Sequence, residues 1–342
     1  MSEAPDDAPE RLRDELIRRI QAGVPLVPAP FRALGEDVGA SEASVLEVLG
    51  GLRDEGILRE ISAVLEGSAL GYESALVAGE VGPDDLERVA EVVSGHPTVT
   101  HNYERNHRFN LWFTVAVPPS MGIEPTLAAL ARASGVERFH PLRRTATFKI
   151  GVNFDPKTRK NRTLAVAGGA VEPVDASERD RRCFRALQTP LPLVAFPFTA
   201  LARDAGVSED ELLGFARGHL GGAIRRYFGT LRHRKLGVCA NAMVVWRVPE
   251  ADVEAVGSRL AEVPEVSHCY TRETVPEFPY SLYSMLHGPD PASCRKLADE
   301  LAQEIGADDY AVLFSTREFK KTRLRYFLPE LDEWWAAHAL ST

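Results

Sequence analysis

The sequence has few of the features that mark disulfide-rich, membrane-spanning or dinucleotide-binding proteins. Only four of its 342 residues are cysteines, and none of them forms a Cys-x-x-Cys pair, so neither a zinc knuckle nor a disulfide framework is indicated. No apolar run is long enough to span a bilayer. No Gly-x-Gly-x-x-Gly sequence opens a helix after a strand, which excludes the usual nicotinamide and flavin loops. A reducing cytoplasm fits this composition best.

The chain also has fewer basic than acidic residues. It contains 40 Lys and Arg residues and 49 Asp and Glu residues, for a net charge of −9. This balance disfavours a general binder of nucleic-acid phosphates. Hydrophobic residues make up 44% of the chain, enough to build the cores of two or more domains. Residues 1–9 are acidic and have no apolar run, so they predict a disordered tail and not a secretion signal.

The rest of the chain reads as two copies of one plan. Each copy begins with helices, a glycine turn, a helix capped by serine and a strand, which is the order of a winged helix-turn-helix. Strand and helix signals in the order β-α-β-β-α-β follow, as in a ferredoxin-like sheet. Pro192–Phe198 echoes Pro25–Phe31, and the turn before Ser208 echoes the turn before Ser41. This tandem duplication predicts an α+β pseudo-dimer within one chain, and leaves open whether two chains form a homodimer.

Domain boundaries follow from this duplication. They are residues 1–9 for the tail, 10–62 for the first winged helix-turn-helix, 63–155 for the first ferredoxin-like domain, 156–180 for a linker, 181–235 for the second winged helix-turn-helix, and 236–342 for the second ferredoxin-like domain with a C-terminal helix. Within the first ferredoxin-like domain, residues 99–107 are predicted as the second strand and residues 145–153 as the last.

The most unusual chemistry lies in that second strand and in its repeat. Alternate side chains of a strand share a face, so His101, Tyr103, Arg105 and His107 are expected side by side. The pattern returns as His268-Cys-Tyr270-Thr-Arg272, followed by a strand that ends near His287. The alternative interpretation is a polar solvent face of an edge strand. Its recurrence in both copies favours a functional site.

A winged helix-turn-helix joined to a ferredoxin-like domain resembles the Lrp/AsnC regulators, which implies a transcription regulator that senses heme or a small effector. Against this, both candidate recognition helices begin with carboxylates, after Ser41 and Ser208, where DNA would repel them. No DNA partner is therefore expected. The second wing is basic and either holds an anionic ligand or is solvated; its residues are Arg225, Arg226, Arg232, His233, Arg234 and Lys235.

The two polar motifs are similar to those of siroheme decarboxylases, and the likeness covers nearly the whole chain. They are His101-Asn-Tyr-Glu-Arg-Asn-His-x-x-Asn-Leu-Trp-Phe-Thr114 and His268-Cys-Tyr-x-Arg272 with Phe278-Pro-Tyr-x-Leu-Tyr-x-Met-x-His-Gly288. The resemblance implies a cytoplasmic carboxy-lyase of heme d1 or alternative heme biosynthesis. Such an enzyme removes carboxyl groups from the C12 and C18 acetates of siroheme and gives didecarboxysiroheme. It requires no cofactor and binds the iron tetrapyrrole as substrate.

For this chemistry, His101 and His268 are the expected general acids, because histidine titrates near neutrality. Tyr103 and Tyr270 would position the acetate, and His107 or His287 could exchange roles with the acids. His268 or His287 is also a candidate axial ligand for the iron of the substrate.

Cationic side chains are expected at the rim of a polycarboxylate substrate. Arg105 and Arg272 share the faces of the histidines, and Lys149 and Lys320 occupy matching places in the last strands. Arg144 and Arg317 lie close to these lysines in sequence, and for all four the alternative is a solvated edge. We expect the duplicated sheets to bring both histidine-bearing strands to one shared pocket, with two nonidentical sites or one active and one degenerate site.

Overall fold

The computed structural model of the protein describes residues 8–154, 161–164, 172–231 and 240–339. The basic wing residues 232–235 and most of the predicted tail lie outside this range. The chain forms two compact units, one from Met1–Gly71, Ala170–His233 and Arg325–Leu328, and the other from Tyr72–Gly169, Arg234–Leu324 and Pro329–Thr342. Every described helix is too short or too polar to traverse a bilayer.

The first unit contains both winged helix-turn-helix domains. Its elements are α1 (Ala8–Ala22), α2 (Pro30–Val38), α3 (Glu42–Asp54), β1 (Leu58–Leu65), α6 (Glu178–Gln188), α7 (Pro197–Ala205), α8 (Glu209–His219) and β7 (Ile224–Leu231). The predicted serine caps are confirmed: Ser41 Oγ accepts from the Ser44 amide at 3.1 Å, and Ser208 Oγ accepts from the Glu211 amide at 3.2 Å. The wing strands β1 and β7 pair antiparallel, so each half completes the ribbon of the other.

The second unit contains two β-α-β-β-α-β modules. The first module has β2 (Glu73–Gly79), α4 (Leu86–Gly95), β3 (His101–Arg105), β4 (Leu111–Val117), α5 (Ile123–Ser134) and β5 (Phe139–Phe154). The second has β8 (Ala240–Trp246), α9 (Val253–Glu262), β9 (Val266–Arg272), β10 (Leu282–Gly288), α10 (Pro291–Ile305) and β11 (Tyr310–Lys321). Strand β6 (Asn161–Leu164) pairs with β5, and helix α11 (Pro329–His338) follows β11. The predicted α+β class and module order are confirmed.

The last strand of each module is long enough to join both modules. β5 pairs with β2 through residues 139–143 and with β9 through residues 144–150. β11 likewise pairs with β8 through residues 310–314 and with β3 through residues 315–321. The described strands therefore close into a ring in the order β2-β4-β3-β11-β8-β10-β9-β5. The prediction that the last strand of the first module spans only residues 145–153 was wrong, because its first part pairs within the module and its second part outside it.

Each sheet has one face against its helices and one face toward the other module. In β8, Ala242, Val244 and Trp246 pack in a cluster with α9 and α10. The alternate residues Met243 and Val245 pack in a second cluster that draws on both modules. We call this second side the inner face, and the face that carries the helices the outer face. Residues 156–180 were predicted as a linker, but they contain β6 and the start of α6.

Candidate active sites in the two modules

In the first module, strand β3 presents His101, Tyr103 and Arg105 on one face. The ring centroids of His101 and Tyr103 are 6.1 Å apart, and the Arg105 guanidinium carbon lies 5.8 Å from the Tyr103 ring centroid. Between them, the Asn102 amide points to the outer face and donates to the Ala90 carbonyl of α4 at 3.0 Å. The predicted period of two therefore holds across these three residues.

The second module repeats this arrangement on β9 with nearly the same spacings. The ring centroids of His268 and Tyr270 are 5.9 Å apart, and the Arg272 guanidinium carbon lies 5.7 Å from the Tyr270 ring centroid. Cys269 faces the outer side, where its thiol donates to the Gly257 carbonyl of α9. We call each His-Tyr-Arg series a ladder. Their close match shows that the duplication preserved side-chain geometry as well as fold.

The arginine of each ladder is buried and binds the backbone of a long strand. Arg105 donates through Nη1 to the Leu313 carbonyl at 3.0 Å, and Arg272 donates to the Leu142 carbonyl at 2.9 Å. Both Nε atoms are buried without a hydrogen-bond partner, and within the described residues neither guanidinium has a carboxylate at ion-pair distance. Burial lowers each pKa to about 10, so both groups stay charged at neutral pH. A buried cation without an anion is costly, and it is suited to accept an anionic ligand.

A hydroxyl group contacts the histidine of each ladder. Thr100 Oγ1 lies 3.0 Å from Nδ1 of His101, and Ser267 Oγ lies 2.8 Å from Nδ1 of His268. Sequence reasoning missed both residues, although a signal was available, because a hydroxyl residue precedes the histidine in both motifs. The hydroxyl therefore contacts Nδ1 of each histidine and not Nε2.

The second site carries additional polar groups. Ser267 Oγ also lies 2.6 Å from Nε2 of His287 on β10. Burial, and to a smaller degree the charge of His287, lowers the pKa of His268 to about 4. Burial also lowers the pKa of His287. The first module has Ala116 at the place that corresponds to His287, so its site lacks a second imidazole there.

Arg144 reaches the second ladder from the neighbouring strand β5. Its guanidinium carbon lies 5.5 Å from the Tyr270 ring centroid. Burial raises the pKa of Tyr270, and the nearby Arg144 and Arg272 oppose that rise. Arg144 is opposite Arg272 in the register, and Ser315 takes the corresponding place opposite Arg105. The second site therefore has one more cation than the first at this position.

Three predicted substrate-binding residues lie on the outer face instead. Lys149 Nζ donates to the Val263 carbonyl at 2.8 Å, and Lys320 Nζ donates to the Ser94 carbonyl at 2.6 Å. Both lysines thus hold the carbonyl end of a helix, because they pair in register with outward-facing residues of β9 and β3. Arg317 pairs with Glu87 of α4. The structure does not bring any of the three to the ladders.

His107 does not continue the first ladder. Strand β3 ends at Arg105, and His107 lies in the following turn, where its Nδ1 accepts from the Phe109 amide at 3.0 Å. Its ring contacts Phe278 edge-to-face, with centroids 5.4 Å apart. The prediction of a strand that reaches His107 was wrong, because the turn uses this imidazole as a local acceptor and packing group.

The two ladders lie on strands that are not neighbours. Around the ring of strands, three strands separate β3 from β9 in either direction. Each histidine instead has its own neighbours, Thr114 and Lys321 for His101, and Met285 and Ile150 for His268. The second strand of each module is therefore not paired with its equivalent. Each ladder is therefore a candidate site on its own strand, and the shared pocket stays a prediction.

Comparison with known proteins agrees with this architecture. The model of the AsnC-like ligand-binding domain matches residues 69–149 and 235–320. The model of the siroheme decarboxylase NirDL-like HTH domain matches residues 13–59 and 180–218. The chain therefore has a tandem Lrp/AsnC-like fold with a ladder in each module.

Full-length relatives narrow the assignment. The chain is 39% identical to the siroheme decarboxylase of Hydrogenobacter thermophilus, over 94% of this chain and 97% of the relative. It is 36% identical to the siroheme decarboxylase NirDL subunit of Paracoccus pantotrophus, over 92% and 96%. A crystal structure of the siroheme decarboxylase NirDL in co-complex with an iron-uroporphyrin III analogue aligns with a TM-score of 0.79 at 36% identity, over 95% and 97% of the two chains. The chain belongs to the siroheme decarboxylase family.

Proposed function

We propose that this protein is a siroheme decarboxylase that removes the carboxyl groups of the C12 and C18 acetates, and that each ladder acts on one of them. Family membership supports the reaction, and one observation in the structure carries the division of labour. The same His-Tyr-Arg ladder stands in two separate places with matching spacings. The products are didecarboxysiroheme and carbon dioxide.

The chemistry needs one proton for each carboxylate that is lost. Protonation of the ring carbon beside the acetate makes the ring cationic, and the ring then accepts the electron pair as the bond to the carboxylate breaks. A proton shift to the exocyclic carbon completes a methyl group, so no oxidant or reductant is consumed. His101 and His268 are the proposed acids, since imidazole can donate a proton near neutral pH.

The buried arginines suit the charge of this substrate. A tetrapyrrole polycarboxylate would supply the anion that Arg105 and Arg272 lack among the described residues. The same negative charge would raise the pKa of His268 from its low value in the free protein, because a nearby anion favours the imidazolium. Substrate binding would thus load the acid with its proton. Tyr103 and Tyr270 stand between the acid and the cation, where they would position the acetate.

Anaerobic incubation with siroheme tests this proposal. We expect the mass of the tetrapyrrole to fall by one carbon dioxide and then by a second, with heat-denatured protein as the control. The absorption spectrum of the mixture reports binding and axial ligation of the iron independently of turnover. A spectral shift without any loss of mass would show a tetrapyrrole carrier and not a decarboxylase. Sequence-specific DNA binding at physiological ionic strength would favour a regulator.

A further inference from the structure

Ser267 occupies a junction between two imidazoles of the second module. Its Oγ lies 2.8 Å from Nδ1 of His268 and 2.6 Å from Nε2 of His287. The residue is only 5% exposed. Both distances are those of strong hydrogen bonds, and the two histidines are brought together from strands β9 and β10, 19 positions apart in sequence.

Because Ser267 has a single hydroxyl proton, it restricts which nitrogens of the two imidazoles can carry a proton. When both rings are neutral, the Ser267 hydroxyl donates to one ring nitrogen and accepts an N–H from the other. If it donates to His287, Nδ1 of His268 carries a proton and its Nε2 is the only site that can gain or lose one. The opposite direction fixes the opposite tautomers. Either way, the protonation states of the two rings are linked through one oxygen atom.

The surroundings favour a single positive charge on the pair formed by His268 and His287. Among the described groups that act on His268, only His287 contributes a charge effect, and it opposes protonation. Tyr270 is the neighbouring titratable group on the same strand, and Arg144 from β5 lies over its ring. Two imidazolium ions on one oxygen would repel each other. The pair therefore takes up its first proton as a unit.

The first module shows the same junction without the second imidazole. Thr100 Oγ1 contacts Nδ1 of His101 at 3.0 Å and Thr114 Oγ1 at 3.0 Å. Thr114, whose hydroxyl does not titrate near neutral pH, thus makes the second contact that His287 makes in the other module, although Thr114 corresponds in register to Met285. The comparison also shows that a β-branched residue fits at this junction, since threonine occupies it in the first module.

We propose that Ser267 is a positioning residue that fixes the tautomer of His268 and couples its proton to His287, whereas Thr100 only orients a single imidazole. This inference rests on the proposed function for its effect on turnover. The coupling itself is a property of the ligand-free protein. The two can therefore be tested separately.

The first experiment measures the ring nitrogens of the full-length, ligand-free protein by nitrogen-15 NMR between pH 4 and 8. Wild type should show His268 and His287 held in the same single tautomer, both Nδ1–H or both Nε2–H, and titrating together. Ser267→Ala should give mixed tautomers and two independent titrations, and Ser267→Thr should restore the wild-type pattern. The control is Thr271→Val, on the same strand as Ser267. It removes the 2.8 Å hydroxyl contact between Thr271 and Thr145 of β5 and should change neither titration.

The second experiment measures single-turnover decarboxylation of siroheme. Ser267→Ala should slow one of the two steps by about ten- to a hundredfold, within the range expected for general acid catalysis. KM should change by less than about twofold, because the substrate contacts stay in place. A singly decarboxylated tetrapyrrole should accumulate. Ser267→Thr should recover most of the rate.

The outcomes separate the two proposals. Unchanged tautomers and titrations in Ser267→Ala would overturn the coupling, whatever the activity. Active wild type with an equally active Ser267→Ala variant would also overturn the positioning role. Failure of wild type to decarboxylate siroheme would overturn the proposed function alone, because the NMR titration would still decide the coupling. Circular dichroism confirms that each variant is folded.

Discussion

The two modules share a ladder but differ in the groups around it. The first site pairs His101 with Thr100 and Thr114, whereas the second joins His268 to His287 through Ser267 and adds Arg144. The common part is the His-Tyr-Arg ladder, which supplies the proposed acid, a phenol and a cation at each site. The differences concern how the proton is supplied and how many cations are present. This division teaches that duplication kept the geometry of the ladder and let its neighbouring groups diverge.

Removing the two ladder histidines should have the largest effect, and it tests most directly whether both ladders are catalytic. We expect His101→Ala and His268→Ala each to slow one decarboxylation by about 10²- to 10⁴-fold, because each removes the proposed acid of its ladder. Mass spectrometry should show a singly decarboxylated product in each variant and intact siroheme in the double variant. Loss of both carboxyl groups at the normal rate in both single variants would contradict the assignment.

Replacing the buried arginine tests whether each ladder binds an anion. Arg272→Met should weaken tetrapyrrole binding by about 1.5–3 kcal/mol, the range for hydrogen bonds to charged groups. The stability of the free protein should change little or rise, because the variant removes a buried charge that has no carboxylate among the described residues. Spectral titration and denaturant unfolding measure the two effects.

Arg317→Met is the matched control for that experiment. Arg317 pairs with Glu87 on the outer face, so its loss should leave tetrapyrrole binding unchanged. Weaker binding in Arg317→Met than in wild type would support the prediction that Arg317 contacts the substrate.

The modules also differ at the end of their first helix, and this difference predicts a pH effect on stability. His96 follows α4, and Val263 follows α9 at the equivalent place. Burial lowers the pKa of His96 to about 3. Since the unfolded chain binds this proton near pH 6.5, the free energy of unfolding should fall on acidification from pH 6.5 toward 3, by up to about 1.4 kcal/mol per pH unit.

His96→Val transfers the residue of the second module and should flatten this slope. Urea unfolding at pH 7 and pH 5 measures this slope in wild type and in the variant. An unchanged slope in His96→Val would show that His96 is not a source of the acid sensitivity.

The outer-face lysines should show the smallest difference. Lys149→Met and Lys320→Met each remove an ammonium that binds carbonyls at a helix end, so each should lower stability by about 1–2 kcal/mol. Siroheme binding should be equal to that of wild type in both. A loss of siroheme binding without a loss of stability would support the prediction that these lysines bind the substrate.

Local patterns in the sequence were enough to predict much of this protein. The spacing of His101, Tyr103 and Arg105 is set by the period of a strand, and its repeat at residues 268–272 identified both ladders. Serine caps and glycine turns located the helices of the winged domains. Each of these signals lies within a few residues of the structure it determines, which is why the duplication and the module order could be read directly.

The tertiary structure decided everything that depends on register between distant strands. The crossing of β5 and β11 from one module to the other placed them beside β9 and β3, and the same register turned Lys149 and Lys320 outward. It also brought His287 to Ser267. No local pattern encodes such contacts, because a shift of one residue in register moves every side chain of a strand to the opposite face.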